Sequence, residues 1–187
     1  MAKRRLISKI LTMAIVMVIA LGLNFYLILP VHAKPGASKV PKLKKEAFQH
    51  LDRLSDTLTG TARQIWEWAE TALKEHRSSK LLAKLLEDNG FKVEFGAGGL
   101  EVAFVATYGE GHPVIGILGE FDALPGLSQK AGSSTQEAIT PGAPGHGCGH
   151  NLFGAAGAGA AISVKDIMEK HHLKGTVKFF GCPAEET

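Results

Sequence analysis

Val114-Ile115-Gly116-Ile117-Leu118 has no polar side chain at any position, the pattern of a strand covered on both faces inside a parallel sheet. After it, Leu152 to Leu173 has helical length and opens with small residues, Gly154, Ala155, Ala156, Gly157, Ala158 and Gly159. Each interior glycine costs a helix about 1 kcal/mol against alanine, so the run predicts a helix pressed closely on a sheet. The apolar part is too short for a bilayer, which takes about 20 residues. Gly157-Ala158-Gly159 lies inside the helix rather than at a strand-to-helix turn, which argues against a dinucleotide fold. Thr176 to Cys182, with Val177-Lys178-Phe179-Phe180, is the next strand. Strand, helix, strand in this order predicts a βαβ unit and an α/β sandwich.

Upstream, Phe91 to Phe95 alternates apolar and polar as a half-exposed strand does, and Leu100 to Thr107 follows the Gly98-Gly99 turn as another. A helix from about Ser79 to Asn89 has Ser78 or Ser79 to cap it, a stripe of Leu81, Leu82, Leu85 and Leu86, and Gly90 to end it. Phe48, Leu51, Leu54, Leu58, Ala62, Ile65 and Ala69 recur every three or four residues, one apolar face of a long helix that Gly60 can divide. Trp66 and Trp68 near its end read as core packing. Residues 34–45, rich in Lys, Pro and Gly, read as a linker, so the globular part is 46–187.

The first 33 residues have the build of an export signal. Lys3, Arg4, Arg5 and Lys9 precede an apolar run over residues 10–29, and Ala33 ends a plausible cleavage site. The run approaches bilayer length, so it serves either as a cleaved signal or as a membrane anchor. Both place the rest of the chain outside the cytoplasm. Removing these four basic and no acidic residues turns the formal charge of +3 into −1, so nucleic acid is not an implied partner.

The polar residues sit where an open α/β sheet holds its ligands, at strand carboxyl ends and the helix start facing them. Glu120 and Asp122 follow the apolar strand at i and i+2 and project to the same side. Cys148 and His150, within Gly145-His146-Gly147-Cys148-Gly149-His150-Asn151, precede the helix, and Glu185 and Glu186 follow the last strand. A thiolate, an imidazole and a carboxylate hold a divalent ion, and a second carboxylate takes the proton of an attacking water. On that division Glu186 binds metal and Glu185 is the general base. Cys148 and Cys182 are the two cysteines, and in an exported protein a disulfide between them is the competing reading. His146 reads as a loop residue or a brace behind the ligands, and His171-His172 as surface. No Gly-x-Ser-x-Gly elbow and no second ligand pair at zinc-finger spacing occur.

Three motifs in order, Gly119 to Gln129, Gly145 to Asn151 and Phe180 to Glu186, resemble the aminoacylase and carboxypeptidase type of metallopeptidase. The resemblance covers roughly residues 48–187 and is greatest to the amidohydrolase branch of aminobenzoyl-glutamate hydrolases. It implies a three-layer α/β sandwich of the zinc-peptidase type and hydrolysis of the amide bond in N-acyl amino acids or small peptides. Two divalent ions, manganese or zinc, would be the cofactors. By position, Cys148, His150 and Glu186 would be metal ligands, Glu185 the base and Asp122 the carboxylate that orients the site. It also favours a thiolate over a disulfide at Cys148. Glu120 stands where many relatives have a ligating His, and Asn151 where several have Asp, so no ligand role passes to Glu120.

Relatives of this type are about twice as long, carry a lid or dimerisation domain, form homo- or hetero-oligomers and supply further His ligands downstream. The resemblance therefore implies the N-terminal part of a catalytic domain, inactive alone, with an incomplete second metal site and an open sheet edge. A membrane-anchored binding or scaffold domain that keeps the fold without catalysis is the alternative. The long polar loop from Gly126 to Gly147 is expected to cover the site.

Overall fold

The computed structural model describes residues 42–187, so the signal or anchor expected over 1–33 and most of the linker expected over 34–45 lie outside the described residues. Among the described residues no helix is long and apolar enough to cross a membrane. The elements are α1 (Lys42–Trp68), α2 (His76–Asp88), β1 (Lys92–Phe95), β2 (Phe104–Glu110), β3 (Val114–Glu120), α3 (His150–Lys170) and β4 (Gly175–Cys182). Lys42 to Lys45, expected in the linker, are helical instead, because Lys and Leu propagate a helix well once Pro41 is passed. Gly60 does not divide α1. Its cost is outweighed by burial of Thr61, Ala62 and Ile65 in the next turn.

The sheet order is β1-β2-β4-β3. β1–β2 and β2–β4 are antiparallel, while β3 and β4 are the parallel pair predicted for the βαβ unit. α3 packs on β3 and β4 through its glycines. A Cβ on Gly154 would stand 2.8 Å from the backbone oxygen of Glu120 and 2.9 Å from Leu82, and one on Gly157 would stand 3.1 Å from Phe179. Closeness to the sheet is therefore what the small residues provide. Phe104, Phe121, Phe179, Leu82, Leu86 and Ile162 form the buried core, with the Phe104 and Phe179 ring centres 5.7 Å apart. Phe104 lies against Gly181, and Phe179 against Gly119, where neither glycine leaves room for a side chain.

Strand β3 departs from expectation. It is not covered on both faces: Val114 is 47%, Ile115 54% and Leu118 67% exposed. The strand order leaves β3 outermost, and the three helices share one core with Phe104, Ala106, Val177 and Phe179 on one sheet face. Leu118 pairs in register with Phe180 and so points to the opposite face.

The start of α2 also differs. The helix begins at His76, so Ser78 and Ser79 lie inside its first turn rather than capping it. The Glu70 carboxylate takes that place, accepting the backbone N–H of Ser78 at 2.8 Å and of Arg77 at 3.2 Å, the Ser78 hydroxyl at 2.8 Å and Arg77 Nε at 3.1 Å. A full negative charge at a helix start outcompetes a neutral hydroxyl. Burial alone would raise the Glu70 pKa, but the hydrogen bonds from Ser78 and Arg77 hold it below its ordinary 4.5. A carboxylate with a depressed folded pKa stabilises above its unfolded value and loses that contribution as pH falls through the folded one. Glu70→Gln is expected to cost about 1–2 kcal/mol at pH 7 by urea unfolding, a deficit that narrows as the pH drops below about 4.5.

Candidate metal centre

Three pieces of chain deliver the polar residues to one end of the sheet. Glu120 closes β3 and Asp122 follows it, Cys148 and His150 lead into α3, and Glu185 and Glu186 follow β4. The turn into α3 needs Gly149, whose φ of 82° lies in the left-handed region. Leu124 and Gly145 exchange backbone hydrogen bonds of 3.0 Å, which pins the ends of the long loop and fixes where Cys148 starts.

His150 is the centre, 1% exposed. Its Nδ1 lies 2.8 Å from Asp122 Oδ1, and Asp122 Oδ2 accepts the backbone N–H of Glu186 at 3.0 Å. One buried carboxylate thus orients the imidazole and the turn that carries the glutamates. The i and i+2 spacing places Glu120 on the same ring, and its Oε2 is 3.2 Å from Nε2. Glu185 Oε2 and Glu186 Oε1 approach that nitrogen to 3.6 and 3.9 Å. The donor atoms of Cys148, His150 and Glu186 lie within 4.8 Å of one another, as do those of Glu120, His150 and Glu185. Among the described residues no Lys or Arg forms an ion pair with Glu120, Asp122, Glu185 or Glu186.

Such a cluster needs positive charge, and the residues fit a divalent ion. Glu186 Oε1 is buried with no hydrogen-bond partner. The Cys148 thiol is pushed up by its hydrogen bond to Glu186, then by burial and the charges of Glu186, Glu185 and Glu120. Sulfur, imidazole and carboxylate together suit a borderline divalent ion better than a hard cation such as calcium. With Nδ1 held by Asp122, His150 has only Nε2 to offer. The two donor sets therefore share one nitrogen, so only one of them at a time could hold an ion through it. Cys148 and Cys182 are free, so the disulfide reading does not hold. The Cys182 thiol points instead to the Phe180 carbonyl at 3.4 Å, along its own strand.

Neighbouring polar residues act as braces. His146 Nε2 lies 3.2 Å from the Ile65 carbonyl, and burial lowers its pKa, so the neutral ring donates there; it belongs to neither donor set. Asn151 donates to the Ala62 carbonyl at 3.2 Å, a bond that an ionised Asp could not make. His171, read as a surface residue, is tied to Glu46 at 2.9 Å and helps to fasten α1 to α3. Sequence reasoning left Glu120 without a role, although the spacing that placed Asp122 places Glu120 equally well. The loop expected to cover the site lines a recess of about 550 Å³ with Trp66, Trp68, Leu127 and Ile139, which reaches His146, two positions before Cys148.

No family model matches the chain. It is 51% identical over 128 residues to one of the subunits of the p-aminobenzoyl-glutamate hydrolase of Escherichia coli (strain K12), covering 68% of this chain and 27% of that one. It is 30% identical over 169 residues to the Xaa-Arg dipeptidase of Mus musculus, covering 82% and 35%. Among solved structures, the YXEP protein of Bacillus subtilis, described as a dinuclear metal-binding peptidase, superposes with a TM-score of 0.60 at 28% identity, covering 72% and 36%. The chain thus spans roughly a quarter to a third of the length of the relatives it matches. With the α/β fold and the three motifs in register, these likenesses mean that the chain belongs to the M20 family of metallopeptidases and amidohydrolases.

Proposed function

We propose that these residues form part of a metal-dependent amidohydrolase that cleaves the amide bond of N-acyl amino acids or small peptides, acyl-glutamates of the aminobenzoyl type first among them. The observation that carries this reading is the convergence of Cys148, His150 and Glu186 within 4.8 Å, beside a second glutamate on the same ring nitrogen. A divalent ion held by Cys148, His150 and Glu186 would acidify a water and polarise the scissile carbonyl. Glu185, with its side chain 50% exposed, is open to that water and to substrate. It takes the proton at Oε2 as the water oxygen attacks the carbonyl carbon, and returns it to the amine nitrogen as the C–N bond breaks. Asp122 keeps Nε2 of His150 turned toward the centre. The nearby recess supplies apolar wall for an aromatic acyl group.

Cobalt(II) titration tests the ligand set. The 187-residue chain should show thiolate-to-metal absorption that Cys148→Ser abolishes and Cys182→Ser retains. Absence of the band in the unaltered chain, or its survival in Cys148→Ser, would refute the assignment.

Two further parts of the proposal concern the whole protein. Because both donor sets draw on His150, that ring serves one ion at a time, and residues 1–187 alone are expected to give no turnover. Hydrolysis of aminobenzoyl-glutamate by the pure chain would overturn that. The basic and then apolar stretch over residues 1–33 supports export, as a cleaved signal or an anchor, which N-terminal sequencing of the mature protein decides.

A further inference from the structure

Glu75 is fully buried at the start of α2, yet just one of its carboxyl oxygens has a partner. Oε1 accepts the backbone N–H of Ala184 at 2.9 Å, while Oε2 is buried with none. A carboxyl group is costly to bury in this way, and leucine, glutamine or methionine would fill similar space more cheaply. Burial raises its pKa, and Asp122 and Glu70 add to that shift. Packing alone therefore does not account for a carboxyl here.

What it holds is informative. Ala184 has a φ of 59°, the left-handed region that a residue with a Cβ enters only when its surroundings impose it. Pro183 has no N–H, so the Ala184 amide is the first donor after β4, and Glu75 takes it. Two residues on, the N–H of Glu186 goes to Asp122. Two buried carboxyls from distant parts of the chain thus grip alternate amides of a single turn, with Glu185 between them.

Resting on the metal-hydrolase reading, we propose that Glu75 is a positioning residue. Its grip on the Ala184 amide fixes the turn from which Glu185 and Glu186 reach the Nε2 atom of His150.

Glu75→Gln keeps an acceptor oxygen and Glu75→Leu removes it, so the pair separates the grip from the charge. In the 187-residue chain without metal, hydrogen exchange at the Ala184 amide should be at least about tenfold faster in Glu75→Leu and near the original rate in Glu75→Gln. Cobalt(II) affinity should fall by about 10–100-fold in Glu75→Leu and stay within about threefold in Glu75→Gln. If leucine fails to fold, Glu75→Met, which also lacks the acceptor, takes its place. Unchanged Ala184 exchange in the leucine or methionine variant would overturn the proposal, as would equal loss of affinity with glutamine. A chain that binds no cobalt at all would sink the metal reading, while the exchange rates would still decide the grip.

Discussion

Glu185→Gln, in a full-length enzyme that carries these residues, is expected to lower turnover by about 10²–10⁴-fold while leaving its divalent metal bound. The amide keeps the size of the carboxylate but cannot accept the proton of the attacking water. Glu185 lies 3.6 Å from the ring nitrogen of His150, and its side chain is half exposed, whereas that of Glu186 is 21% exposed. The open glutamate suits proton transfer and the covered one ligation. Metal content by atomic emission and turnover on an aminobenzoyl-glutamate substrate separate the roles. Loss of metal with turnover would exchange the two assignments, and full activity would remove Glu185 from the chemistry.

Asp122→Ala should weaken divalent metal binding by about 10–100-fold, measured by calorimetric titration. The side chain is buried and both its oxygens are used, one on His150 Nδ1 and one on the Glu186 amide. Removing it leaves the ring free to turn and an amide unpaired, and each unsatisfied buried group costs about 1–3 kcal/mol. Asp122→Asn should not rescue binding. Its NH₂ group must face one of the two donors, so one of the two bonds is lost whichever way the amide turns. Binding by Asp122→Asn as tight as in the parent would show that the carboxylate does not orient the centre.

Where the sequence was legible, the reason was local. The i and i+2 spacing of Glu120 and Asp122 predicted that both would project together, and both meet His150. The small residues of α3 predicted a close approach, and Gly154 sits against the backbone of Glu120. The misreadings trace to contacts far apart in sequence. The α2 cap is a carboxylate seven and eight residues upstream of its partners, which outcompetes the adjacent serines. Glu75 gives no local clue, since its partner is 109 residues away. The run from Val114 to Leu118 identified a strand correctly, but whether a strand is covered depends on its neighbours, and here its place at the end of the strand order decided.

That outermost position has a bearing on handling. Half-bare Val114, Ile115 and Leu118, on a strand with no neighbour on its outer side among the described residues, favour strand-to-strand association, whose rate rises with the square of protein concentration. Dilution and low temperature, which weakens apolar attraction, are accordingly the conditions under which this polypeptide should stay monodisperse.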